Sequence, residues 1–271
     1  MRRVCRAIAS TIAVAALGAA SGCATTAQWR HASAASPAVD EFTVQAGDRP
    51  MRVLVASPAS IGPETPLVIA LHGISRGAAE TRTAMAPLAE RGWLILAPLF
   101  DKANFASYNT SGETPGRIAS VFAEAKRRYG LAATGFVLFG HSGGGQAAHR
   151  ALMNEPLGPY STVISANSGW YQLPDNNIPA CEAYARPMVL MLGDRDTKTD
   201  GNNLNVSARA RAQGPHRFAR GTRFFERARA DADGKRCPVF AWQQIIVPNV
   251  GHNVTGMAVA AMQLPVFTTS R

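Results

Sequence analysis

The sequence predicts an α/β fold, a mostly parallel sheet of eight strands with helices on both faces. Short apolar runs rich in β-branched and aliphatic residues recur along the chain, separated by segments of helix length. Runs such as LVIALHG and MVLMLGD are almost continuously apolar, which is typical of strands buried on both faces. The connections between parallel strands in such a fold are right-handed crossovers, and a binding crevice is expected at the carboxyl ends of the strands.

The predicted strands are apolar runs of three to six residues, the first two close together like a hairpin. They are Phe42–Val44, Met51–Val55, Leu67–Leu71, Trp93–Ala97, Phe136–Phe139, Thr162–Ser165, Met188–Leu192 and Trp242–Val247. Helices are predicted at Ala78–Arg91, Pro115–Tyr129, Gly144–Asn154, Asn203–Arg211, Phe218–Ala232 and Thr255–Met262. The 22 residues from Ala166 to Pro187 are too few for a large cap domain.

The composition points to one folded domain. The 271 residues are 46% hydrophobic and 17% charged, so the chain can bury enough apolar surface to avoid disorder. The net charge of +10 is concentrated, with nine Lys/Arg against three Asp/Glu in Ser207–Arg236. Helix-like spacing there favours a solvated helical face over an anion-binding or membrane-surface patch, and we expect no nucleic-acid partner.

The N-terminus has the features of a secretory signal. Arg2, Arg3 and Arg6 precede the uncharged run Ala7–Ala20, which is too short for a transmembrane helix. We therefore expect residues 1–22 to be a signal peptide and residues 23–41, rich in Ala, Ser and Thr, to be a flexible tether. The folded domain is expected to span residues 42–271.

Two ways of processing this signal remain open. Ala20-Ser21-Gly22-Cys23 resembles the lipobox of bacterial lipoproteins, whose cysteine is lipidated and anchors the protein to a membrane. Ala20 stands where such boxes usually carry Leu, so cleavage at Ala32-Ser33-Ala34 is the alternative. Either route predicts an exported protein, a cell-envelope lipoprotein or a periplasmic or secreted one.

Cysteine use agrees with export. Cys5 leaves with the signal and Cys23 lies at its end, so the domain retains Cys181 and Cys237. In an oxidising compartment these two most simply form a disulfide, and two buried free thiols are the alternative.

Candidate chemistry is concentrated at Gly140-His141-Ser142-Gly143-Gly144-Gly145. This G-x-S-x-G motif lies directly after a buried strand and directly before an Ala-rich helix. The flanking glycines leave room for a strained turn that exposes the serine oxygen at a helix N-terminus, where developing negative charge is favoured. Ser142 is therefore a candidate nucleophile.

Four motifs in family order resemble those of the α/β-hydrolase superfamily: Leu71-His72-Gly73, the turn at Ser142, Gly193-Asp194-Arg195-Asp196 and Gly251-His252-Asn253. The resemblance covers Phe42 to the C-terminus and implies an α/β-hydrolase fold with a Ser-His-Asp triad. Within the superfamily, the chain resembles small exported bacterial esterases and polyester depolymerases. The serine turns of those enzymes often differ from GHSGGG.

The triad partners are chosen on local grounds. His252, in a turn after the last strand, can reach the serine oxygen and act as a base near pH 7. Its rival His141 is adjacent to Ser142 on a tight turn and points away, so we expect it at the pocket rim or in packing. Asp196 occupies the family's G-x-x-D position, whereas Asp194 is the alternative and could cap the turn.

The remaining histidines are expected to have other roles. His72 and His149 are predicted to be structural, and no partner is indicated for His31 or His216.

The resemblance also indicates an oxyanion hole. Its donors would be the backbone N–H groups of Gly143 and Ile74, or of Ser75 if the loop is shifted by one residue.

The pocket is expected to be open and lined by aromatic side chains. Trp170, Tyr171 and Tyr108 are the leading candidates to contact substrate. Further candidates are Phe100, Phe105 and Met257.

The predicted function is hydrolysis of a small-molecule or polymeric carboxylic ester by a monomer. A serine peptidase of the same fold, or a non-enzymatic binding protein on a hydrolase scaffold, is the alternative. The sequence has no P-loop, paired zinc-ligand motif or dinucleotide fingerprint, so no cofactor or metal is expected.

Overall fold

A computed structural model of the chain describes residues 38–174, 181–200 and 203–268. The signal peptide, Cys23 and most of the predicted tether lie outside the described residues, as do His31 and the Ala32-Ser33-Ala34 site. The first strand begins at Ala38, four residues before the first predicted strand at Phe42.

All eight predicted strands are present and form one sheet. They are β1 (Ala38–Ala46), β2 (Arg49–Ser57), β3 (Leu67–Leu71), β4 (Leu94–Pro98), β5 (Phe136–His141), β6 (Tyr160–Ala166), β7 (Met188–Gly193) and β8 (Trp242–Val247). Their order across the sheet is β1-β2-β4-β3-β5-β6-β7-β8. The predicted α/β-hydrolase fold is confirmed.

The pairing of the strands follows their burial. Four strands are buried at every residue: β3, β4, β5 and β7. All strand pairs in the part of the sheet that runs from β4 through β3 to β8 are parallel, as expected for strands covered on both faces. β2 is antiparallel to both β1 and β4. Gly47, with φ of +74°, supplies the tight turn of the β1–β2 hairpin.

Eight α-helices cover the sheet in the described residues. They are α1 (Ala78–Met85), α2 (Thr114–Tyr129), α3 (Gly143–Asn154), α4 (Cys181–Ala185), α5 (Ala208–Arg211), α6 (Arg217–Gly234), α7 (Val254–Ala261) and α8 (Pro265–Thr268). A 3₁₀ helix, Ala86–Arg91, follows α1.

Two helix predictions need correction. The predicted helix Ala78–Arg91 ends as an α-helix at Met85, because Pro87 cannot donate to the preceding turn, and continues as the 3₁₀ helix. The predicted helix Asn203–Arg211 is reduced to one turn that begins at Ala208, where the Ser207 hydroxyl accepts a hydrogen bond from the Ala210 N–H at 3.3 Å. Helices α4 and α8 were not predicted from the sequence.

Apolar side chains fill both faces of the sheet. One cluster includes Leu67, Phe136 and Phe224, and a second on the opposite face includes Val68, Phe139 and Met257. Within the described ranges, the connection between β6 and β7 contains only the short helix α4, so no helical cap covers the carboxyl edge. None of the helices in these ranges has the length and apolar character needed to cross a membrane.

The expected disulfide is present. Cys181 at the start of α4 is bonded to Cys237, three residues after α6, across a separation of 56 residues. Nearby, the Tyr184 hydroxyl donates to Asp231 Oδ2 at 2.7 Å, which joins the same two helices. The bridge therefore fixes α4 against the end of α6.

Removing this bridge should destabilise the domain. A C181A/C237A variant is expected to lose up to about 4 kcal/mol of unfolding free energy, since closing a loop of this length restricts the unfolded chain. Urea unfolding of the variant and of the oxidised wild type measures the loss. Two alkylatable thiols in folded wild-type protein would show that the bridge does not form.

Candidate active site

Ser142 is held in a strained turn between a strand and a helix. β5 ends at His141 and α3 begins at Gly143, leaving Ser142 with φ of 56° and ψ of −115°. Its N–H donates to the Ala166 carbonyl oxygen at 2.9 Å, and its own carbonyl oxygen accepts from the Gln146 N–H at 3.0 Å. Such φ values are uncommon for a residue with a side chain, so the surrounding hydrogen bonds must impose the conformation.

The glycines around Ser142 allow α3 to approach the sheet closely. A Cβ at Gly144 would lie 2.1 Å from the Leu71 carbonyl oxygen, and one at Gly140 would lie 2.2 Å from the Gly144 carbonyl oxygen. A Cβ at Gly145 would lie 2.5 Å from the Ser168 hydroxyl oxygen. No real side chain tolerates these distances, so the packing at this turn requires glycine.

His252 joins Ser142 to a carboxylate. Its Nε2 lies 3.0 Å from Ser142 Oγ, and its Nδ1 lies 2.7 Å from Asp196 Oδ2. His252 belongs to the loop between β8 and α7, and Asp196 to the loop after β7. The structure therefore brings Ser142, His252 and Asp196 into one hydrogen-bonded chain.

Asp196, rather than Asp194, faces the imidazole. The Asp196 side chain is 1% exposed, whereas Asp194 is exposed on the surface. The Arg217 guanidinium lies 3.4 Å from Asp196 Oδ1, so the buried carboxylate has two partners. Arg217 was not singled out by the sequence because the arginine-rich stretch around it was interpreted as a solvated face, yet its side chain is only 5% exposed.

Asn167 ties the two loops that carry His252 and Asp196. Its Nδ2 donates to the Gly251 carbonyl oxygen at 2.9 Å, and its Oδ1 accepts from the Gly193 N–H at 2.8 Å. Its φ of 46° is left-handed, a conformation that Asn adopts more readily than most residues. No sequence motif indicated this role.

The other histidines have distinct surroundings. His141 is buried with its ring centroid 4.8 Å from that of His252, and burial lowers its pKa well below the usual range. His72 and His149 are structural, as expected, since each accepts a backbone N–H through Nε2, from Phe100 and Gln172 respectively. His216 caps α6, with Nδ1 accepting from the Ala219 N–H at 3.2 Å.

Gly143 and Ile74 border the same space beside the serine. A Cβ at Gly143 would lie 3.0 Å from the Ile74 nitrogen, and one at Gly73 would lie 3.7 Å from Ser142 Oγ. The first residues of α3 and the loop after β3 therefore meet at the serine oxygen.

A cavity of about 210 Å³ opens at this point. It is lined by Gly73, Ile74, Ser75, Gly77, Glu80, Thr81, His141, Ser142, Asn203, His252, Asn253 and Val254. A larger cavity of about 510 Å³ lies at the opposite edge of the sheet, beside the first residues of β3, β5 and β6, and is remote from Ser142.

The predicted aromatic lining needs correction. Tyr108 and Tyr171 are each 1% exposed, because Tyr108 stacks on Phe100 and Tyr171 stacks on Phe224. The further candidates Phe100, Phe105 and Met257 are equally buried in the core. Trp170 is half-buried and contacts two arginines instead of lining the cavity.

The arrangement suits proton transfer at a serine oxygen. An imidazole bonded to a hydroxyl on one side and a buried carboxylate on the other can remove the hydroxyl proton while the carboxylate stabilises the resulting cation. In the described ranges, no group of three His, Cys, Asp or Glu side chains is placed to hold a metal ion.

Several solved structures that resemble this one belong to proteins named as hydrolases. Poly(aspartic acid) hydrolase-1 from Sphingomonas sp. KT-1 is 28% identical with a TM-score of 0.79 over 84% of this chain and 98% of that chain. LpqC, a poly(3-hydroxybutyrate) depolymerase from Bordetella parapertussis, is 29% identical with a TM-score of 0.75 over 83% and 88%. A dienelactone hydrolase from Anabaena variabilis ATCC 29413, 16% identical with a TM-score of 0.55 over 83% and 95%, shares the fold. No protein-family model matches the chain, and no curated protein matches it in sequence.

The close approach of α3 to the sheet gives a test with a matched control. Gly144→Ala should destabilise the protein by about 3 kcal/mol or more, because its Cβ would overlap the Leu71 carbonyl oxygen. Gly116→Ala in α2, where a Cβ would meet nothing within 4 Å, should be neutral or stabilise by up to about 1 kcal/mol. Thermal and urea unfolding compare the two. Equal stability of both variants would contradict the described packing.

Proposed function

We propose that this chain, which has the α/β-hydrolase fold, is a serine hydrolase that cleaves carboxylic esters through an acyl-enzyme. The observation that carries the proposal is the hydrogen-bonded chain from Ser142 Oγ through His252 to Asp196. All three groups lie at the carboxyl edge of the sheet, where Ser142 and His252 line a cavity.

In the first step, Ser142 Oγ attacks the ester carbonyl carbon while His252 Nε2 accepts the hydroxyl proton. The imidazolium then gives that proton to the leaving alcohol, and the acyl group stays on Ser142. In the second step the same histidine takes a proton from water, which attacks the acyl-enzyme. The bond between the acyl carbon and Ser142 Oγ breaks, the histidine returns the proton to Oγ, and the acid is released.

The negative charge on the carbonyl oxygen needs donors placed in advance. The proposed donors are the N–H groups of Gly143 and Ile74, which border the same space beside Ser142. Gly143 is the first residue of α3, so the helix dipole favours the same charge.

Asp196 orients the His252 imidazole and stabilises its protonated form. With its carboxylate accepting the Nδ1–H, His252 presents an unprotonated Nε2 to the serine. Arg217 holds the second carboxylate oxygen and also donates to the Asn203 carbonyl oxygen at 2.7 Å, which links the acid to the cavity wall. Arg217 is thus a positioning residue.

Amide hydrolysis with the same machinery is the second candidate. The Sphingomonas neighbour is named for its action on poly(aspartic acid), and its 28% identity is close to that of the poly(3-hydroxybutyrate) depolymerase. Both neighbours act on polymers, and the absence of a cap in the described residues leaves the cavity open to an extended chain.

A fluorophosphonate probe should label Ser142. The adduct is expected because a serine that is deprotonated by a neighbouring base displaces fluoride from the probe and becomes phosphonylated. Peptide mass spectrometry locates the adduct, and Ser142→Ala, which should lose labelling and ester turnover together, is the control. An active, folded preparation without an adduct would refute the mechanism.

The two neighbouring acids should differ strongly on substitution. Asp196→Asn should lower kcat by up to roughly 10⁴-fold, because the amide favours the wrong tautomer of His252. Asp194→Asn should leave kcat within about threefold of wild type, since the exposed Asp194 does not contact the imidazole. Nitrophenyl ester kinetics on the three proteins measure this, and the opposite ranking would assign the role to Asp194.

A further inference from the structure

Two arginine side chains lie over one tryptophan ring near the carboxyl edge of the sheet. The guanidinium carbon of Arg150 lies 4.8 Å from the centroid of the Trp170 ring, and that of Arg209 lies 5.6 Å from it. Arg150 is in α3, Arg209 is in α5, and Trp170 follows β6. We call these three residues the Arg150–Trp170–Arg209 cluster.

The positive charge of this cluster is not neutralised by any carboxylate that the structure describes. Arg150 is 8% exposed and donates to the Gln146 carbonyl oxygen at 3.1 Å, and the Arg209 contact is with the tryptophan ring. Burial, followed by the nearby charge of Arg209, lowers the pKa of Arg150 to about 9. An anion that binds beside a guanidinium in such surroundings stabilises its charged form, so binding of the anion is favoured.

The surroundings add positive charge. The Arg220 guanidinium donates to the Gly169 carbonyl oxygen at 2.7 Å, directly before Trp170. Arg217 and Arg211 are close enough to contribute to a lowered pKa of Arg220, after the larger effect of burial. The Asp196 carboxylate, which contacts Arg217, is also bound by His252 and is therefore already paired.

Two residues of the cluster belong to segments that also meet at Ser142. Gln146 is one helical turn beyond Ser142, and the Arg150 side chain folds back to the Gln146 carbonyl oxygen. Arg150 itself is eight residues after Ser142, about 12 Å along the helix axis. On β6, Ala166 pairs with His141, so Trp170 follows the neighbouring strand by four residues.

We propose that the Arg150–Trp170–Arg209 cluster is a subsite for a carboxylate group of the substrate, on the order of 10 Å from the reacting carbonyl. This inference rests on the proposed function and specifies its substrate class: esters or amides that carry a carboxylate several bonds from the cleaved bond, including acidic oligomers. A planar guanidinium matches a carboxylate in two parallel hydrogen bonds, and stacking on the indole ring holds it in place.

Two series of chromogenic esters test the subsite. One series consists of nitrophenyl monoesters of dicarboxylic acids from succinate to sebacate, with the carboxylate on the acyl side. The other consists of butyrate esters of nitrophenols that bear a carboxyalkyl chain, with the carboxylate on the leaving side. At the chain length that reaches the cluster, kcat/KM should exceed that of the methyl-capped neutral ester by roughly 10- to 100-fold, and the excess should fall with added salt.

Charge-matched variants assign the effect to the cluster. Arg209→Gln should remove most of this preference while leaving kcat/KM for neutral esters unchanged, and Arg209→Lys should retain part of it. Arg223→Gln, on the exposed face of α6, removes the same net charge and should keep the full preference. Arg150→Gln, checked for folding by thermal unfolding, should act like Arg209→Gln.

The outcomes separate this inference from the proposed function. Hydrolysis of neutral esters without a carboxylate preference in either series, or an equal loss in Arg209→Gln and Arg223→Gln, would overturn the subsite. If no ester of either series, charged or neutral, is hydrolysed, the proposed function fails, and calorimetric titration of suberate decides the subsite separately. Weaker suberate binding by Arg209→Gln than by wild type supports the subsite, and equal binding overturns it.

Discussion

The close contact between α3 and the ends of β3 and β5 is the constraint on which the site depends. Three glycines leave no side chain between the helix and the strands, with virtual Cβ positions of 140, 144 and 145 overlapping their neighbours. At this close approach Ser142 has a positive φ and lies directly before the helix. The packing of α3 and the position of Ser142 therefore both require glycine at these three positions, so a substitution there affects both.

Buried charge organises the rest of the site. The Asp196 carboxylate lies in the interior between an imidazole and a guanidinium, so two loops and the start of α6 are held by one anion. A buried carboxylate is costly unless its oxygens are paired, and here both have partners. The arginine-rich segment thus contains at least one side chain with a specific internal partner.

Strand positions, the order of the motifs and the serine turn could be predicted because apolar runs and glycines leave a direct trace in the sequence. The aromatic lining of the cavity could not be predicted in this way. A tyrosine such as Tyr108 or Tyr171 suits a buried core and a binding cleft equally well, and only tertiary packing shows that both lie in the core. Asp196 was favoured over Asp194 by spacing, and burial gives the physical reason. Arg217 and Asn167 were missed because their partners are distant in sequence. Arg217 lies 21 residues from Asp196, and Asn167 lies 84 residues from Gly251.

Asn167 also limits how this scaffold can be redesigned. Its side chain bonds the last residue of β7 and the loop after β8 at once, while its N–H donates to the Met191 carbonyl oxygen at 3.0 Å. A loop exchanged from another protein between β6 and α4 would break both loops if the graft replaced this residue. Junctions placed after Gln172 would keep that brace together with Tyr171, which is buried against Phe224.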